Sequence, residues 1–181
     1  VTRASLDVNG NAINSTAPLV DQQQTYGSDQ ATRFFLMEYD ATGAATGRLV
    51  THVDGGMATW ADIKANALNR GIVLTDAHVG NIPSVIDNLD GTFSLGAGTG
   101  QMFIADIAHT ANPAGKAADS GDSAIGLVGD PNLFYDNELL DAHIVAGDGR
   151  ANENVVLTAV HSVFHAEHNR LVTQVEDMIA Q

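Results

Sequence analysis

One short stretch of the sequence, GDGRANENVVLTAVHSVFHAEHNRL, holds the side chains best suited to chemistry. Arg150 and Glu153 stand near its start, and His161, His165 and His168 follow. A guanidinium stays protonated and can stabilise a developing negative charge, whereas imidazoles can bind metals or transfer protons. The stretch therefore has three interpretations: the rim of a polar active site, a metal site, or ordinary helix capping and packing.

The three histidines are separated by four and three residues, so in a helix they share one side. Imidazoles one turn apart can converge on zinc. However, Ser162 follows His161, so the HExxH pattern is absent, and no acidic ligand is placed to complete a site. We therefore favour packing and hydrogen-bond contacts for these imidazoles, with zinc as the weaker alternative.

A long amphipathic helix is predicted from residue 152 to the end of the sequence. Asn152 or Asn154 can cap it, and Glu153 suits its N-terminus. An Arg-x-x-Glu pair at a helix start is usually a cap plus a surface ion pair, worth well under about 1 kcal/mol. The predicted core-facing stripe recurs at steps of three and four residues and consists of Leu157, Val160, Phe164, His168, Leu171, Val175 and Met178.

Shorter elements precede this helix. Thr59 and Asp62 predict a helix over residues 59–70 that starts with a capping box. The remaining patterns predict, in chain order, a hairpin from strands 33–39 and 48–53, a short helix start at residues 75–79, a hairpin over 85–95 and a long loop over 96–132.

Composition limits the classes of function. The chain carries 22 acidic against 8 basic residues, a formal net charge of −14, which disfavours nucleic acid and anionic membranes as partners. It has no cysteine, so disulfides and thiolate chemistry are excluded, and a metal must use His, carboxylate or carbonyl ligands. No window is apolar enough for a membrane span. The sequence begins without an initiator Met or the apolar core of a signal peptide, and it ends while the helical pattern is still running. We therefore expect a piece of a longer chain, with an arbitrary boundary as the alternative.

The run G-D-x-R-x-N-E-x-x-x-L-T-A-x-H-x-x-F-x-x-E-H-N-R-L within residues 147–171 resembles the signature of the animal-type haem peroxidases, the peroxidase–cyclooxygenase superfamily. It is most similar to the large secreted bacterial members. The resemblance implies a mainly α fold, a fragment of a haem-peroxidase-like helical domain with long loops and one or two small β-hairpins. Residues 1–181 would be the central part of one such domain, truncated at both ends, and located outside the cell.

The resemblance also implies roles for three residues. Arg150 matches the family's distal arginine, which stabilises the negative charge that develops as the O–O bond of hydrogen peroxide breaks on haem b. Glu153 matches the carboxylate that in many members forms an ester with a haem methyl group, and it is either linked in this way or free. Asn154 occupies the neighbouring haem-contact position, where a sulfonium link is not expected because no methionine is present.

A second match implies a calcium site. Residues 14–28 are similar to the family's calcium loop, with Asp21 as the carboxylate ligand and Leu19 as the donor of a backbone carbonyl. Thr16 lies beside the position where the family has threonine, and Gln23 replaces a serine ligand.

The distal and proximal histidines of the family have no counterpart in this sequence. The resemblance therefore implies that the remaining segments of the same peroxidase domain act as partners, together with hydrogen peroxide and a small reducing substrate or halide. The alternative is a degenerate, calcium-stabilised extracellular adhesion or structural module without catalysis.

Overall fold

The computed structural model describes residues 22–105, 113, 115–119, 129–130 and 132–180. Its helices are α1 (Gln23–Tyr26), α2 (Gln30–Leu36), α3 (Trp60–Leu68), α4 (Asn137–Ala142) and α5 (Val155–Ile179), with one 3-10 turn at Asp76–His78. Its strands are β1 (Met37–Tyr39), β2 (Ala45–Leu49), β3 (Pro83–Asp87), β4 (Phe93–Gly98), β5 (Ala117–Ala118) and β6 (Phe134–Tyr135).

The hydrophobic core gathers around α3. Thr59 caps this helix by accepting a hydrogen bond from the backbone of Asp62, and the Asp62 side chain accepts one from Thr59 in return. This confirms the capping box. Trp60 is fully buried, and its ring centroid lies 5.0 Å from that of Phe103. Phe103 in turn contacts Phe35 of α2, so the core joins α3, α2 and the segment after β4.

Both predicted hairpins form. Strand β1 pairs antiparallel with β2, and β3 pairs antiparallel with β4. The start of the first predicted strand is wrong, however, because residues 33–36 belong to α2. The second predicted strand, 48–53, is wrong in its bounds, because β2 spans Ala45–Leu49. Asp29 caps that helix by accepting a 3.0 Å hydrogen bond from the backbone N–H of Thr32. The two-residue parallel pairing of β5 with β6 was not predicted.

Helix α5 packs on β2 through polar side chains. Asn169 accepts a hydrogen bond from the backbone N–H of Leu49 at 2.8 Å and donates one to its carbonyl at 3.0 Å. His165 bonds the carbonyl of Val50 at 2.8 Å. The predicted core-facing stripe is therefore wrong in orientation, because several of its apolar members are exposed: Val160, Phe164, Leu171, Val175 and Met178.

Helix is the larger share of regular structure among the described residues, and the sheets are small. The expected helices and small hairpins are present, and the described content is mixed, whereas the mainly α class and the extent of the complete domain stay predictions. None of the described helices is both long enough and apolar enough to span a membrane.

Candidate active site

The turn at residues 147–150 carries Arg150, and two glycines allow it to lie close to other backbone segments. A Cβ on Gly147 would collide with the backbone of α1, including the nitrogen of Tyr26 at 2.6 Å. A Cβ on Gly149 would lie 2.9 Å from the carbonyl oxygen of Met102. The carbonyl of Gly149 also accepts a 2.8 Å hydrogen bond from the backbone N–H of Ala105. The turn is thus held between α1 and the segment after β4.

Asp148 fixes the guanidinium of Arg150. Its two carboxylate oxygens accept hydrogen bonds from Nε at 3.0 Å and from Nη2 at 2.7 Å, and one of them also accepts from the backbone N–H of Arg150 at 3.0 Å. The hydrogen bonds from the Arg150 side chain are the main reason that the pKa of Asp148 is lowered. The same bonds raise the pKa of Arg150, so the guanidinium stays charged throughout the working pH range.

An open pocket of about 330 Å³ lies beside this turn. Its walls come from α1, the start of α2, the segment after β4 and the turn itself, and they include Gln23, Ser28, Thr32, Gln101, Met102 and Arg150. The side chain of Arg150 is 63% exposed at its rim. Small-molecule sites span roughly 300–1,000 Å³, so the pocket has the size of a small binding site.

The structure does not bring Glu153 and Asn154 into this pocket. Both are exposed, and neither belongs to its lining. Asn154 instead caps α5 by accepting a 3.0 Å hydrogen bond from the backbone N–H of Leu157, which confirms one of the two predicted caps. Glu153 follows Arg150 closely, since its backbone N–H donates to the carbonyl of Arg150 at 2.8 Å.

The expected calcium ligands fall mainly outside the described residues. This holds for Thr16, Leu19 and Asp21. Gln23 is described, and it lies in α1 and lines the pocket beside Arg150. The predicted calcium site therefore stays a prediction.

Two α5 histidines form hydrogen bonds with protein groups, His168 through both ring nitrogens and His165 through Nε2. His168 bonds the hydroxyl of Tyr26 at 2.8 Å and the carbonyl of Gly47 at 3.0 Å, while His165 bonds the Val50 carbonyl. Within the described part of the chain, the α5 histidines form no metal-binding cluster. This geometry supports the packing and hydrogen-bonding interpretation of these histidines rather than zinc.

A carboxylate cluster elsewhere was missed by the sequence analysis. One oxygen each of Asp119, Asp136 and Glu138 lie within 4.8 Å of one another. Asp136 also caps α4, accepting a 2.6 Å hydrogen bond from the backbone N–H of Leu139, and this capping explains its position. Asp119 is distant in sequence from the other two, and the three follow no spaced pattern, so no local signal could reveal the cluster.

Comparison with known proteins gives one family match. Residues 131–180 match the family model described as animal haem peroxidase, and the matched segment includes the Arg150 turn and all of α5. The match supports the haem-peroxidase family and agrees with the resemblance found in residues 147–171. Neither the curated proteins nor the solved structures contain a significant match to this chain.

Proposed function

We propose that this chain is part of a secreted haem peroxidase of bacterial type, the central section of one peroxidase domain, and that Arg150 acts in its active site. The observation that carries the proposal is the family match over residues 131–180, which contains a guanidinium held at the rim of a pocket. The family implies haem, hydrogen peroxide and a reducing substrate.

The described residues fit one edge of a haem site rather than a complete one. The pocket offers a fixed cation and polar walls, and no imidazole is among the described residues that line it. A histidine that holds haem iron would therefore come from residues other than those that line this pocket. Arg150 would lie beside the group and supply a positive charge. Glu153, which lies outside this pocket lining, would hold the group through an ester or as a free carboxylate.

The chemistry of Arg150 follows from its charge and its anchoring. Bound haem supplies the redox chemistry that consumes hydrogen peroxide. Arg150 contributes a permanent positive charge that stabilises a developing negative oxygen without giving up a proton. The bonds to Asp148 use the N–H of Nε and one N–H of Nη2, so both N–H groups of Nη1 and the second of Nη2 remain for a ligand. Because Asp148 fixes the side chain in advance, little reorganisation is needed when charge develops.

The test uses the native protein with its complete peroxidase domain and two substitutions of Arg150. We expect a Soret absorption band, and we expect Arg150→Ala to lower the rate of reaction with hydrogen peroxide by about 10²–10³, as for loss of one oxyanion donor. Arg150→Lys keeps the positive charge but loses the paired N–H donors that Asp148 binds. Its rate should therefore lie between those of the wild type and Arg150→Ala. Haem that resists extraction by acid acetone would indicate the Glu153 ester. A colourless native protein without peroxidase activity would overturn the proposal.

The second candidate is a calcium-stabilised extracellular module without catalysis. The net charge of −14 favours this alternative, because a strongly acidic surface attracts divalent cations. It predicts that calcium raises the melting temperature and that haem neither binds nor stabilises the protein. Thermal melting with calcium or with haem separates the two candidates.

A further inference from the structure

His161 is a buried imidazole of α5 that the described residues leave without a hydrogen bond. It is 1% exposed, and neither Nδ1 nor Nε2 has a partner among them. A neutral imidazole carries one N–H donor and one acceptor nitrogen. Leaving a buried polar group unsatisfied is unfavourable, so such a group in a native structure requires an explanation.

The imidazole borders a small cavity of about 10 Å³. A single water molecule needs roughly 10–15 Å³ by this measure. The lining is mainly apolar, with three nearby polar side chains besides His161, namely His165, Gln24 and Thr25. His165 already bonds the Val50 carbonyl through Nε2. Cavities that stay dry are apolar throughout, and this one is not.

Gln24 and Thr25 can complete the coordination of a water molecule. Each donates a side-chain hydrogen bond to the amide oxygen of Gln22, at the long distances of 3.3 and 3.4 Å. Both side chains keep further hydrogen-bonding capacity, because a hydroxyl has acceptor lone pairs and an amide has four hydrogen-bonding sites. Together with His161 they provide the two to four partners that a buried water requires.

The cavity lies directly behind the candidate active site. Gln24 lines both the cavity and the open pocket, so it forms their common wall. Ala146, which precedes the turn at residues 147–150, also lines the cavity. A polar contact at this place supports the turn from its buried side.

We propose that this cavity is a binding site for one internal water molecule, which His161 holds beneath the turn that carries Arg150. The water satisfies the imidazole N–H, whose desolvation would otherwise be uncompensated. It also connects α5 with α1, the helix against which the turn packs. This inference concerns the folded chain alone and does not depend on haem or on peroxidase activity.

Magnetic relaxation dispersion of water oxygen-17 tests the site, because it counts water molecules with long residence times. We expect His161→Leu to lower that count by one, since leucine fills similar space and offers no hydrogen bond. The matched control, His78→Leu, changes an imidazole that is not part of this cavity and should keep the count. Equal counts in the wild type and His161→Leu would overturn the proposal.

A second measurement covers the case in which His161→Leu does not fold. In the wild-type protein, nitrogen-15 NMR of the imidazoles should show one His161 N–H that exchanges slowly and is shifted downfield by a hydrogen bond. A cross-relaxation peak should connect this proton with water. A slowly exchanging N–H without a water peak, or with a shift typical of no hydrogen bond, would show that the cavity is dry.

Discussion

Asn169 illustrates how one polar residue can secure a long helix. It is 5% exposed, and its amide bonds both the N–H and the carbonyl of Leu49. The side chain therefore takes the place of a neighbouring strand at the edge of β2. An edge strand left unpaired exposes a row of donors and acceptors, and burying them unpaired is unfavourable.

Asn169→Ala should lower the free energy of unfolding by about 2 kcal/mol, because both backbone groups of Leu49 lose their partner in a buried place. Urea unfolding followed by circular dichroism measures the change. Gln174→Ala, on the exposed side of the same helix, serves as the control and should change the free energy by no more than about 0.5 kcal/mol. Similar effects of the two substitutions would contradict this role of Asn169.

The pair of His52 and Asp62 adds a pH-dependent component of stability. Their side chains bond at 2.8 Å, and this hydrogen bond is the main cause of the raised pKa of His52. Burial alone would raise the pKa of Asp62, but hydrogen bonds from Thr59 and His52 outweigh it and lower the pKa. A raised histidine pKa stabilises the folded state below the unfolded pKa of about 6.5, and the contribution disappears as pH rises through the folded value.

We therefore expect the urea midpoint of the wild type to fall as pH rises above about 6.5, more steeply than that of His52→Asn. Proton NMR of the His52 ring gives its pKa directly and should place it above the ordinary value. Asp62→Asn removes the carboxylate partner of His52. The urea midpoint of this variant should therefore fall with pH no more steeply than that of His52→Asn. If His52→Asn and the wild type show parallel pH profiles, the pair makes no pH-dependent contribution to stability.

At the scale of elements, the turn at residues 147–150 depends on backbone contact. Gly147→Ala should destabilise the protein by about 1–3 kcal/mol, because the added methyl group meets main-chain atoms of α1 that cannot rotate away. Because the turn must move to make room for this methyl group, the substitution should also change the environment of Arg150. Gly80→Ala is the matched control, since a Cβ at that position would have nothing within 4 Å. Thermal unfolding compares the two, and equal melting temperatures would refute the close approach.

Local signals predicted several elements correctly. Thr59 with Asp62, and Asn154 at the start of α5, are caps whose partners lie three residues away, so the sequence alone shows them. The hairpins likewise depend on nearby turn residues. In contrast, the segment at residues 33–36 has no clear periodicity, and its helical state depends on the cap at Asp29 and on burial of Phe35 and Leu36 in the core.

The orientation of α5 could not be predicted because its cause is distant in sequence. Asn169 and Leu49 are 120 residues apart, and the demand for hydrogen bonds at the β2 edge appears only once the chain is folded. The candidate site likewise has one feature that the sequence predicted and one that it did not. Arg150 at a pocket was expected, but the anchoring by Asp148 was not, although both residues lie in one visible Gly-Asp-Gly-Arg turn.

At the scale of the whole molecule, the outward apolar face of α5 gives a further prediction. Phe164 is 39% exposed and Leu171 is 45% exposed. Phe164→Ser and Leu171→Ser should each lower the free energy of unfolding by about 1 kcal/mol or less, since much of each side chain already contacts solvent. Both should reduce binding of a dye that reports exposed apolar surface.

Leu140→Ala provides the comparison, because Leu140 is fully buried and its truncation should cost about 2–5 kcal/mol. Had α5 packed with its apolar stripe inward, as its periodicity predicts, the α5 substitutions would cost as much as this one. Urea unfolding of the three variants therefore distinguishes a helix attached by polar contacts to β2 from one buried by its apolar stripe. A loss of about 3 kcal/mol or more for Leu171→Ser, which lies well inside the range for core truncations, would exclude the polar arrangement.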